Sequence, residues 1–172
     1  MKKSMSLLVA LISVLFLLCS CTRQESIDPF EYCKRYNADF GKNKINYESF
    51  FREDKDDGCY YSYIYIGEKT ALATISVNED NTVTGIALTI TNEKLSFSDE
   101  ELKDCFNTYI ELSAVLSGNE PDKMREILNK CEITENDIAF QDISCSEESE
   151  QLEFTLLENS AIITMYTDKI LN

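Results

Sequence analysis

The sequence predicts an α+β fold, an antiparallel sheet built from two three-stranded meanders with helices packed on one face. Three observations point to it. Short segments of alternating or β-branched residues fall into two groups, and most of the breaks within a group are only three or four polar residues long. Breaks that short join antiparallel neighbours, because a parallel crossover needs a dozen residues or more. A stretch with apolar residues at helical spacing precedes each group. Both of these stretches open on residues that satisfy free backbone N–H groups at a helix start.

The first element is expected over residues 28–40. Asp28 caps it, Pro29 suits the first helical position, Glu31 completes an Asp-x-x-Glu box, and Ile27 and Tyr32 occupy the staple positions. Phe30, Cys33, Asn37 and Phe40 share one face with Tyr36 beside it, and Gly41 suits the stop. Residues 45–52 fit neither the helical nor the strand period. Strands are expected over 60–66, 71–77 and 83–91. Their alternation places Ile64, Ile66, Ala73, Ile75, Val77, Ile86, Leu88 and Ile90 under the helices. The opposite face then carries Tyr61, Tyr63, Tyr65, Thr74, Ser76, Ala87 and Thr89. Asn78 to Asn81 suit a hairpin turn, because Asn and Asp hydrogen-bond their own backbone.

The second half opens on Ser98 with Glu101 three residues on, and Phe97 can staple onto Leu102. Leu102, Cys105, Phe106, Tyr109, Ile110, Leu112 and Leu116 form an apolar stripe that Gly118 ends. Pro121 starts a further helix with Met124, Ile127, Leu128 and Cys131 on its buried face. Strands are expected over 138–143, 151–157 and 161–167. The halves echo one another in element order, with no residue-level repeat.

Ahead of the domain, Lys2 and Lys3 precede an apolar run over 7–18 that closes on Leu18-Cys19-Ser20-Cys21. This resembles the export signal of bacterial lipoproteins, with Leu three residues before the cysteine and a small residue just before it; Cys19 departs from the usual Ala, Ser or Thr. The resemblance implies cleavage before Cys21, a diacylglycerol on its sulfur, and a domain held outside the cytoplasm at a cell membrane or outer membrane. Residues 1–20 are then a removed signal peptide, 21–27 a lipidated tether, and 28–172 a single domain.

Removing two lysines and no acid makes the domain two units more negative than the whole chain's −15. That charge repels nucleic-acid backbones, so a nucleic-acid partner is not expected. Histidine is absent, which excludes His-dependent catalysis and removes the commonest metal ligand. Asp54, Asp56 and Asp57 before Gly58 fail the calcium-loop spacing, since Lys55 would fall at a ligand position. No nucleophile, phosphate-loop or metalloprotease motif occurs, and no cofactor or metal is expected. Five cysteines remain after Cys21, at 33, 59, 105, 131 and 145; their pairing stays open, with at least one thiol unpaired.

The inferred order of helices and strands is similar to that of beta-lactamase-inhibitor-like small exported lipoprotein domains, which bind proteins through a sheet face. The expectation is therefore a membrane-anchored, non-enzymatic binding or accessory module for a protein or a cell-envelope glycan. Tyr61, Tyr63 and Tyr65, with Thr74 and Ser76, form its candidate contact set, since a tyrosine offers a large apolar body with a polar tip. A structural role in envelope assembly, or a carboxylate-based hydrolase, is the alternative. The hydrolase would need a concave pocket with convergent carboxylates.

Overall fold

The computed structural model describes residues 26–40, 42–46, 58–66, 69–91, 98–134, 143–147, 150–158 and 162–170. Helix α1 (Pro29–Asp39) is followed by strands β1 (Cys59–Ile66), β2 (Lys69–Val77) and β3 (Val83–Thr91). Helices α2 (Asp99–Ser117) and α3 (Pro121–Lys130) then precede β4 (Ile143–Glu147), β5 (Leu152–Glu158) and β6 (Ile162–Lys169). The strands make one antiparallel sheet in the order β1-β2-β3-β6-β5-β4. The two meanders meet where β3 pairs with β6, which puts the second half of the chain beside the first.

Strand alternation sorts the side chains as expected. Ile64, Ala71, Ile90 and Ile163 face one another across four strands, as do Ala73, Leu88, Met165 and Leu156 in the neighbouring row, and all are buried. Helix α2 covers this side, lying chiefly over β3 and reaching β1 and β6, with α1 and α3 packed beside it. Burying so many aliphatic side chains at roughly 25 cal/mol per Å² is the main stabilising term of the domain.

The helix ends follow their caps. Ser98 accepts from the Glu101 N–H at 3.3 Å while the Glu101 carboxylate takes the Ser98 N–H at 2.7 Å, and Gly118 closes α2 with φ +74°. Asp28 Oδ1 accepts from the N–H groups of Phe30 and Glu31. The Glu31 carboxylate, expected to turn back to the cap, accepts instead from Lys34 and Arg35. The buried face of α1 also differs from expectation: Phe30 is 62 % exposed, while Tyr32 and Tyr36 are fully buried. Their hydroxyls explain it. Tyr32 donates to the Leu112 carbonyl at 2.6 Å and Tyr36 to the Asn43 carbonyl at 2.7 Å, so each ring is buried with its polar tip satisfied.

Within the ambiguous 45–52 stretch, Ile45 forms an isolated antiparallel bridge with Ile64. The Asn37 side chain donates to the Ile45 carbonyl and accepts from its N–H, each at 2.8 Å, imitating a strand neighbour. Residues 47–52 lie outside the described residues, as do Asp54, Asp56 and Asp57. Asn78 Oδ1 accepts from the N–H groups of Asp80 and Thr82, which closes the β2–β3 turn. Of the strand expected over 138–143, residues 138–142 lie outside the described residues. Strand β4 carries the pairing on from Ile143 to Glu147, Ile143 opposite Leu156 and Cys145 opposite Phe154.

A polar network is buried between α2 and β6. Thr167 donates to the Tyr109 hydroxyl at 2.8 Å, Tyr109 donates to the Tyr166 carbonyl at 2.7 Å, and Ser113 sits 2.7 Å from Thr167 and donates to the Tyr109 carbonyl. Every hydroxyl in it has a partner, the condition under which such a network fixes the seating of a helix on a sheet. The cysteine pairing left open by the sequence is also resolved. Cys131, at the end of α3, is bonded to Cys145 of β4, and Cys33, Cys59 and Cys105 are not in a disulfide.

Candidate binding surface

On the side away from the helices, the register places residues in rows across the sheet. One row runs Tyr61, Thr74, Ala87, Tyr166, Thr155, Ser144 over all six strands. The next runs Tyr63, Leu72, Thr89, Thr164, Leu157, and beyond it Tyr65 stands opposite Thr70 and Ile162 opposite Thr91. On the other flank lie Cys59, Ser76, Gly85, Asp168, Glu153 and Ser146. The five residues expected to make contacts, Tyr61, Tyr63, Tyr65, Thr74 and Ser76, therefore lie on one face. Tyr65 is 62 % exposed and Tyr63 43 %, whereas Tyr61, Thr74 and Ser76 are half-buried among their neighbours. Sequence reading missed the second-meander members of this face: Leu157 and Ile162, both exposed, and Tyr166. Their own alternation was the available signal, and only the β3–β6 pairing extends the tyrosine rows to them.

The chemistry of the face changes from one edge to the other. Tyrosines and aliphatic groups occupy the rows of Tyr63 and Tyr65, threonines fill the centre, and two carboxylates, Glu153 and Asp168, stand directly opposite each other on β5 and β6. Gly85 opposes Asp168, and a Cβ at Gly85 would collide with Asp168 Oδ1, so that carboxylate lies folded over the glycine. Loss of solvation there, and then the charge of Glu153, raise the Asp168 carboxyl above its ordinary value. Like charges opposed across a strand pair destabilise a sheet. A carboxyl whose folded pKa lies above its unfolded value weakens the fold once ionised. The penalty is full above the folded pKa and fades as pH falls through it to below the unfolded value, near 3.9. Asp168→Asn should accordingly raise the thermal midpoint at pH 7 and leave it unchanged near pH 3; an equal gain at both pH values would assign the effect to packing.

A concave site lies on the helix side. A cleft of about 280 Å³ is lined by Lys42 and Asn43, by Asp104, Asn107, Thr108, Ile110 and Glu111 of α2, and by Pro121 and Arg125 of α3. Asp104, Asn107, Thr108 and Glu111 recur at i, i+3, i+4 and i+7, so α2 supplies the floor as one polar stripe. Thr108 leans to one wall and accepts from Asn43 Nδ2 at 2.8 Å; Asn107 leans to the other and accepts from Arg125 Nη2 at 2.8 Å. Lys42 pairs with Asp104. Burial raises the Glu111 carboxyl, and the Lys42 charge and the neighbouring Tyr36 hydroxyl partly oppose that rise. The sequence alone does not single out this stripe. Its walls come from segments far apart in the chain.

Fold and faces together define an α+β domain in which the described helices cover one side of an antiparallel sheet. No protein-family model matches the chain, and neither does any curated protein or solved structure. Among the described residues, no helix is long and apolar enough to cross a membrane.

Proposed function

We propose that this chain is an extracytoplasmic lipoprotein, anchored through Cys21, that works as a non-enzymatic binding module and docks a basic protein partner on its open sheet face. The observation that carries the reading is the in-register array of Tyr61, Tyr63, Tyr65 and Tyr166 with Leu157 and Ile162 on the side that no helix among the described residues covers. Five inter-strand gaps of about 4.8 Å and six residues of about 3.4 Å each give a platform of roughly 24 by 20 Å. A footprint near 500 Å² suits a protein surface at the small end of specific interfaces, which bury about 1,000 Å² or more in total. The tyrosine rings would anchor the contact.

Charge selects the partner. The described residues of this face include Glu153 and Asp168 and no lysine or arginine, on a chain with net charge −15. An arginine or lysine placed between the two opposed carboxylates would relieve their repulsion, so binding gains what folding loses there. The Cys131–Cys145 disulfide supports an oxidising compartment, as an exported domain would meet. A hydrolase reading of the cleft is less well supported, because Asp104 is already engaged by Lys42.

The test places a photoreactive phenylalanine analogue at Tyr65 in the intact chain in its native envelope, with the same group at Phe30, exposed on the helix side, as control. A discrete polypeptide adduct is expected from position 65 and not from 30, reduced when Glu153→Lys and Asp168→Lys are combined. The captured chain should begin at Cys21 and carry the lipid mass. Equal adducts at both positions, or none at 65, would overturn the docking surface; an unmodified N-terminus would overturn the anchor.

A further inference from the structure

We propose that the cleft between α2, α3 and residues 42–43 binds a short zwitterionic peptide, its carboxylate on Arg125 and its ammonium on Glu111. The inference stands apart from the sheet face and from the anchor. It rests on which charges in the cleft are already neutralised. Lys42 and Asp104 are bonded to each other. Arg125 makes one bond to a neutral partner, Asn107, and among the described residues has no carboxylate in contact. Glu111, half-buried, has no cation in contact among the described residues; the charged or titratable groups around it are Lys42 and Asp104, already paired, and the Tyr36 hydroxyl, which donates to Asn43. What remains is one guanidinium with several N–H donors unused and one carboxylate, both lining the same cleft. A guanidinium fork matches a carboxylate, and a desolvated carboxylate gains most from a cation.

Spacing sets the length of the ligand. Arg125 is held at Asn107, and Glu111 stands one helical turn further along α2, about 6 Å at 1.5 Å per residue. A single α-amino acid carries its two charges on adjoining atoms of one carbon, too close to span that distance. A dipeptide separates them by a further residue and fits. At about 280 Å³ the cleft lies at the small end of ligand pockets, which start at about 300 Å³. Ile110 and Pro121 give apolar contact to side chains.

Calorimetric titration of the intact, detergent-solubilised protein with alanyl-alanine tests the site. One-to-one binding is expected. N-acetyl-alanyl-alanine, alanyl-alanine amide and free alanine should each bind about tenfold more weakly or worse. Arg125→Gln should abolish the discrimination against the amide, and Glu111→Gln that against the acetylated form, each without a fall in thermal midpoint. No binding at about 10 mM dipeptide, or equal binding of the capped forms to the unsubstituted protein, would overturn the proposal. That second comparison uses no variant, so it decides the matter even where a substitution disturbs folding.

Discussion

Phe154→Ala should cost about 3–5 kcal/mol of stability, the range for removing a fully buried aromatic ring, and lower the thermal midpoint by about 10 °C for a domain of this size. The ring is fully buried on β5, between Thr167 of β6 and Cys145 of β4 in the strand register. Its position makes the loss severe. Helix α2 lies over β3 and reaches β1 and β6, so the β4–β5 end of the sheet is farther from that helix and depends on large side chains to reach the core. Phe154, Leu152 and Leu156 do this from β5, and all three are buried. Against a total stability of about 5–15 kcal/mol, the expected loss leaves a domain that unfolds under mild denaturant. Phe154→Leu keeps most of the volume and should cost less than about 1.5 kcal/mol. Urea titrations followed by circular dichroism measure both; a loss under about 1 kcal/mol for the alanine variant would mean the ring is not the wedge it is taken to be.

The first meander was legible in the sequence because an antiparallel sheet covered on one side writes itself as strict alternation. Ile64 and Ile66 against Tyr61, Tyr63 and Tyr65 report the two faces without any knowledge of the partner strands. Helix α2 was legible at both ends through Ser98, Glu101 and Gly118. Other features were hidden for identifiable reasons. Phe30 outranks tyrosine on apolarity alone, but Tyr32 and Tyr36 find carbonyl acceptors that only the tertiary arrangement supplies. Strand β4 has the sequence Ile-Ser-Cys-Ser-Glu, too polar on its outer face to compete with the neighbouring Ile138, Ala139 and Phe140 in a pattern search. The tyrosine half of the open face could be read from one strand. Its extension to Tyr166, Leu157 and Ile162 depends on β3 meeting β6, a long-range pairing with no local sequence signal. The cleft was the least legible feature, since Lys42, Glu111 and Arg125 belong to three separate segments.

Cys131→Ser with Cys145→Ser should cost about 3 kcal/mol, the loop-closure entropy expected when a bond joins residues 14 apart in sequence. The effect should be local before it is global. Strand β4 is a five-residue strand at the end of the described sheet order, and the bond ties it to the end of α3. Without that tie, the amides of β4 should lose protection from hydrogen exchange well before those of β3 or β6. Cys145 and Phe154 are register partners, so their losses should not add: the variant lacking both the ring and the bond is expected to fall short of the summed cost. Thiol counting checks the pairing itself. In the folded chain Cys33 and Cys105 are buried, and burial pushes the Cys33 thiol up to about 12, leaving the half-buried Cys59 as the site a thiolate reagent reaches first. Among the five domain cysteines, denaturation without reductant should expose three reactive thiols and reduction all five. A count of one in the unreduced, denatured domain would mean a second bridge, and would remove this pairing assignment.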